Sequence, residues 1–286
     1  MMRPSRPTFA TTETKREMVF SILDIHNHVG EILAHGDSDS HSPPADPVAH
    51  ELESRLATLD SRGVQQAVII GGHVYMRPDG LLDTQRLNDR VAAYRDRRPD
   101  RFPAAVGIVE PVYGERGLDE IDRCKGELGL AGLSFHGRFQ GIPTDSTWVR
   151  KYLERMAEVG LIPFIHCTGD SPEEQLWQLD VLAADFPTLQ IVVLDAFSTA
   201  SQSLSVPHVA ARRSNLLFDT AIPCYVHNIL QAIRVVGAHR ILYGSNLYSW
   251  PADWIPDPLP ELLASAIAEE EKVAVLGGNA RALLGL

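Results

Sequence analysis

The chain has 286 residues, 44% of them hydrophobic and 22% charged, with a formal net charge of −11. That balance excludes wholesale disorder. The acidity, with no basic stripe along any expected helix, argues against nucleic acid or an anionic membrane surface as partner.

Residues 1–18 carry Arg3, Arg6, Lys15 and Arg16 but no apolar core, so they are expected to form a tail or an arm, not a signal peptide. Residues 19–286 are expected to form one domain. Three scattered cysteines, Cys124, Cys167 and Cys224, make no C-x-x-C pair and fit a reducing cytoplasm. No apolar run approaches the ~20 residues of a membrane span.

From residue 19 onward, short apolar runs alternate with amphipathic stretches. The runs cover residues 19–26, 64–70, 102–109, 130–136, 161–167, 189–195, 215–219 and 240–244. Their near-continuous apolar character predicts strands buried on both faces. Helices are expected between them, over residues 47–61, 86–98 and 147–158 among others. Eight such alternations predict an α/β fold, a (β/α)₈ barrel with its active site at the C-terminal strand ends. The loop from Gly30 to Pro47 then lies over the mouth as a possible lid, and residues 250–260 form a second, proline-stiffened mouth loop.

The strongest local signal is Asp24-Ile25-His26-Asn27-His28 at the end of the first strand. Alternation along a strand places His26 and His28 on one face, with Asp24 beside them as a group to orient one ring. Paired imidazoles suit Zn²⁺, Fe²⁺ or similar ions. His166 ends the fifth strand and His136 the fourth. His73 follows the second and Glu110 the third. Arg77 and Arg138 near the mouth could clamp a substrate anion. Asp219 and His227, near the seventh strand, are not expected to bind metal, and His35, His41 and His50 are expected to be solvated.

The D-x-H-x-H motif resembles the opening motif of the amidohydrolase superfamily, in the branch that contains aminocarboxymuconate-semialdehyde decarboxylase. Residues 87–102, GLSFHG (132–137), PFIHCTGD (163–170), YGSN (243–246) and GGNARALLGL (277–286) are similar to that branch in order and spacing. The resemblance implies metal ligation by His26, His28 and His166, and a histidine at the position of His136 in some relatives. It also implies a histidine after strand six and an aspartate after strand eight. This chain instead has Asp195 and Asn246 at those positions.

Asn246 has no basic carboxylate and cannot act as the general base of a hydrolase. Relocation of the carboxylate to Asp195, joined by His136 and by His73 or Glu110, would supply enough donors for two metals. The altered ligands resemble a small group of non-heme diiron monooxygenases on this fold. The leading expectation is therefore an oxygenase: two irons activate O₂ to hydroxylate a small organic substrate, with Asp195 and His136 as catalytic residues. The alternative is a mononuclear Zn²⁺ or Mn²⁺ hydrolase or decarboxylase in which Asp195 is the base. A metal-free binding protein is the third reading. Barrels of this kind often form homodimers.

Overall fold

The computed structural model describes residues 20–29, 47–75, 77–248 and 256–286. The N-terminal arm, residues 30–46 of the lid expected from Gly30 to Pro47, with His35 and His41, and residues 249–255 of the second mouth loop lie outside the described residues.

Eight parallel strands follow the chain in order. They are β1 (Leu23–Val29), β2 (Gln66–Gly71), β3 (Ala104–Ile108), β4 (Gly132–Phe135), β5 (Ile162–His166), β6 (Ile191–Leu194), β7 (Leu216–Asp219) and β8 (Ile241–Leu242). Each pairs with its sequence neighbour. Hydrogen bonds from Ile25 N to Tyr243 O, His28 N to Leu247 O (both 2.9 Å) and Leu247 N to His26 O (3.2 Å) bring the segment after β8 against β1 and close the ring. All eight expected strands are present, and helices Pro47–Ser61, Leu81–Arg97 and Thr147–Val159 fill the expected stretches. No helix among the described residues is long and apolar enough to cross a membrane.

Two apolar layers follow from the strand pattern. Leu23, Ile25, Val68, Ile70, Val106, Phe164, Val192, Leu194, Leu217 and Leu242 pack against one another as the barrel interior. A larger cluster, including Ile69, Val91, Leu133, Ile165, Cys167 and Val193, fills the space between strands and helices. Adjacent residues of one strand thus serve different layers. Cys167 belongs to the outer layer and faces away from His166, as alternation requires.

β1 breaks that alternation. From Asp24 to Asn27 it advances three residues while β2 advances two, from Ala67 to Ile69, so one extra residue bulges out of β1. The bulge lets Ile25 line the interior below while His26 and His28 both enter the mouth above. Asn27 points the other way and receives a hydrogen bond from the buried Arg55 on helix Pro47–Ser61. Arg55 also donates to the carbonyls of His28 (2.5 Å) and Leu247 (3.4 Å), fastening the mouth ends of β1 and β8 from outside.

Candidate metal centre

His26, His28 and His166 converge at the mouth, each at most 2% exposed. The Nε2 atoms of His26 and His28 are 2.8 Å apart, and His166 Nε2 is 3.4 Å from that of His28. The other nitrogen of two of these rings is committed. His26 Nδ1 donates to Asp219 Oδ2 (2.6 Å), and His166 Nδ1 donates to the Phe135 carbonyl (3.0 Å). With their protons on Nδ1, both rings present bare Nε2 lone pairs to the same small space.

Lone pairs so close repel unless a cation lies between them. Ligands about 2.0–2.1 Å from one ion stand about 2.9–3.4 Å from each other at right-angled or tetrahedral geometry. The observed 2.8 and 3.4 Å match that spacing, so the residues fit a divalent metal ion.

Asp195 lies just past β6 beside this cluster, in a second group of converging donors formed with His26 and Asp219. Its Oδ1 is 3.8 Å from His26 Nδ1 and its Oδ2 is 3.9 Å from His166 Nε2. Its backbone is left-handed, at φ 64°. That conformation costs a non-glycine residue roughly 1–2 kcal/mol. The hydrogen bond from Asp195 N to Asp219 Oδ1 (2.9 Å) offsets it, since such bonds to a charged acceptor contribute about 1.5–3 kcal/mol. One carboxylate, Asp219, thus orients the His26 ring and holds the turn that presents Asp195.

Burial pushes the Asp195 carboxyl up to about 7; His26 opposes this, while Asp219 and Glu174 add to it. Burial lowers the His28 and His166 pKa values well below the usual imidazole value, and neighbouring histidines lower them further. Burial also acts to lower His26, but the charges of Asp195 and Asp219 outweigh it, and His26 lies above its ordinary value. The centre therefore combines neutral donors with one position that attracts positive charge.

The remaining expected residues surround this core. His136 belongs to neither group of converging donors. Its ring lies flat on His166, with centroids 4.1 Å apart, and its Nδ1 is 2.7 Å from Glu174 Oε1. His73 stands edge-on to both rings at 5.3 Å and reaches Ser134 Oγ through Nε2 (3.0 Å). Glu110 is turned into an ion pair with Arg77 at 2.7 Å, and Arg138 is paired with Asp170. Asn246 is 6% exposed and left-handed at φ 54°; its Oδ1 has no hydrogen bond among the described residues.

Asp24 does not orient an imidazole, contrary to the expectation from strand alternation. It accepts from the backbone N–H groups of His26 and Ser245 (3.0 Å each) and from the Ser245 hydroxyl (2.5 Å), so it pins the turn after β8. The physical reason is the β1 bulge, which separates Asp24 from the face of the two histidines. Asp219 and Glu174 were missed from sequence. Asp219 ends a strand at the correct face of the barrel, which is a signal, but nothing in sequence shows what that side chain meets. Gly244 contributes by lacking a side chain: a Cβ there would lie 2.9 Å from Asp219 Oδ2 and 3.0 Å from His26 Cβ.

Comparison with known proteins gives a consistent picture. The family model described as Amidohydrolase matches residues 23–286. A 2-amino-3-carboxymuconate-6-semialdehyde decarboxylase of Dictyostelium discoideum is 23% identical over 279 residues, covering 84% of this chain and 77% of the relative. Among solved structures, 5-carboxyvanillate decarboxylase from Sphingomonas paucimobilis superposes with a TM-score of 0.70 at 20% identity, covering 93% of this chain and 99% of that one. The 5-carboxyvanillate decarboxylase from Novosphingobium aromaticivorans, complexed with manganese and 4-hydroxy-3-methoxy-5-nitrobenzoic acid, gives 0.70 at 18% identity over 93% of this chain and 96% of that one.

These relatives are decarboxylases, which overturns the expectation of a diiron monooxygenase consuming O₂. The expectation rested on Asp195 and Asn246, and those two residues do not by themselves imply a change of reaction class.

Proposed function

The chain belongs to the amidohydrolase family, and from that premise we propose that it is a mononuclear metal-dependent decarboxylase of a small organic acid. The observation that carries this reading is the convergence of three imidazole Nε2 atoms beside a buried carboxylate at the mouth of the barrel. Relatives named as decarboxylases, one solved with manganese, support it.

His26, His28 and His166 would hold the ion through Nε2, with the Asp195 carboxyl beside it. When bound, a divalent ion such as Mn²⁺ or Zn²⁺ acts as a Lewis acid that grips and polarises a substrate oxygen. Asp219 and the Phe135 carbonyl keep the ring protons of His26 and His166 on Nδ1, so the Nε2 lone pairs stay available.

Decarboxylation replaces a C–CO₂⁻ bond with a C–H bond, so the site must deliver a proton to carbon. Asp195 is suited to that task. Burial lets its carboxyl keep a proton near neutral pH, and its buried Oδ1 has no competing hydrogen bond among the described residues. Asn246, after β8, is a neutral amide and adds no second carboxylate there.

The test is release of CO₂ from a panel of aromatic and enolic carboxylates by manganese-loaded protein in the absence of oxygen. Stoichiometric CO₂ and the protonated product are expected. Turnover that needs oxygen, or protein that holds no divalent metal, overturns the reading.

A further inference from the structure

Arg55 stands on the outer side of β1, away from the mouth, yet its side chain is wholly buried. Its Nε donates to Glu51 Oε1 (2.9 Å) and to the Tyr94 hydroxyl (3.2 Å). Nη1 donates to Asn27 Oδ1 (3.3 Å) and the Leu247 carbonyl (3.4 Å), and Nη2 to Glu51 Oε1 (2.7 Å) and the His28 carbonyl (2.5 Å). Glu51 and Arg55 lie one turn apart on helix Pro47–Ser61. A buried pair of opposite charges adds little stability over apolar side chains of similar volume. What it offers here is geometry, a planar fork that sends donors to carbonyls on two different segments.

Those two segments form the seam where the barrel closes. β1 pairs with β2 from Leu23 to Val29. It meets the segment after β8 through only three main-chain hydrogen bonds among the described residues: Ile25 N to Tyr243 O, His28 N to Leu247 O and Leu247 N to His26 O. β8 itself spans only Ile241–Leu242, too short to carry a ladder up to the mouth. At the mouth the His28 backbone is gripped on both sides, its N–H by the Leu247 carbonyl and its C=O by Arg55. The ring it carries holds Nε2 2.8 Å from that of His26 on the same strand and 3.4 Å from that of His166 on β5. A shift of this backbone would carry the ring with it.

On the reading of these three histidines as the ligands of one ion, we infer that Arg55 is a positioning residue for the metal centre. By clamping the seam at His28 and Leu247 it fixes where the His28 imidazole stands relative to His26 and His166, and Glu51 holds the clamp in place. Arg55 itself touches neither ion nor substrate.

The experiment compares the full-length parent with a double variant, Glu51→Leu with Arg55→Met, which removes the fork without leaving a buried charge unpaired. Manganese affinity is measured by competition with a chelator, and thermal unfolding is followed on the metal-free proteins. The double variant should unfold at no lower temperature than the parent, yet bind manganese about 10–100-fold more weakly, the loss expected when a group that orients a ligand is removed. Amide exchange of the metal-free proteins reads the seam directly. The His28 and Leu247 amides should exchange faster in the double variant. The Cys167 amide, which donates to the Leu194 carbonyl between β5 and β6, should keep its rate.

Parent-like manganese affinity in the double variant, unchanged exchange at His28 and Leu247, or an equal rise at Cys167 would overturn the inference. If the double variant proves less stable than the parent, Ile121→Ala supplies the yardstick. It opens a cavity in the outer layer on helix Arg116–Gly126, which follows β3, a strand without a metal ligand. An affinity loss no larger than that of Ile121→Ala would overturn the inference, and a larger one would uphold it. A parent that holds no manganese would instead strike the reading of the function. The exchange result needs no metal, so a selectively loosened seam upholds the clamp and an unchanged one overturns it even then.

Discussion

The ends of β6 and β8 make an instructive pair. Each strand stops at the mouth and leads to a buried left-handed residue, Asp195 at φ 64° and Asn246 at φ 54°, and each of these residues keeps one side-chain oxygen without a hydrogen bond among the described residues. The backbones are thus near equivalents, and the side chains differ by one charge. At β6 the side chain is held in place, because Asp219 holds the Asp195 amide and His26 and His166 face the carboxyl within 3.9 Å. At β8 the support goes to the backbone instead, through Asp24 and Ser245. The carboxyl at the end of β6 is thus clamped by a residue from the neighbouring strand end, Asp219 of β7.

The sharpest way to break this comparison is Asp195→Asn, which makes the two ends alike. Turnover should fall by about 10²–10⁴-fold, the usual contribution of a positioned acid or base, while the melting temperature of the metal-free protein does not fall. Steady-state kinetics paired with thermal unfolding would check it, and near-normal turnover would place the proton donor elsewhere. Stability should hold because the substitution removes a buried carboxyl whose ionisation is already disfavoured.

Next in size is Asp219→Asn. An amide facing His26 Nδ1 competes with the ring proton that leaves Nε2 free. Manganese affinity should weaken about 10–100-fold, measured by competition with a chelator of known affinity. Unchanged affinity would show that Asp219 supports only the fold. The double change Asp195→Asn with Asn246→Asp then sharpens the pairing. If the two strand ends are interchangeable, the swapped protein should recover manganese affinity to within about tenfold of the parent, a non-additive outcome expected of residues sharing one ion. Additive losses would show that the β6 clamp cannot be replaced.

The smallest effect concerns pH. Glu174 lies below its ordinary value of 4.5 because its hydrogen bonds to His136, Arg138 and Thr168 outweigh burial. A depressed carboxyl stabilises the fold above its unfolded value and loses that contribution as pH falls through the folded one. The stability advantage of the parent over Glu174→Gln should therefore be full near pH 7 and shrink below pH 4.5. Urea unfolding of both proteins at pH 7 and pH 4 reads it, and an advantage that grows on acidification would reverse the assignment of charge.

Much of this molecule is determined locally along the chain. Eight apolar runs mark eight strands because a parallel barrel buries both strand faces, and that demand is visible residue by residue. His26, His28, His166 and Asp195 were legible as candidates for a related reason: each lies in or just past the mouth-side half of a strand, and the strands of such a barrel share one rim. Tertiary structure alone decided the rest. A one-residue bulge in β1 sent Asp24 to the turn after β8, Glu110 was drawn away by Arg77, and Asp219 and Glu174 became the anchors of His26 and His136. Those outcomes depend on hydrogen bonds between residues 33 to 221 positions apart, whose partners are fixed only when the ring of strands closes.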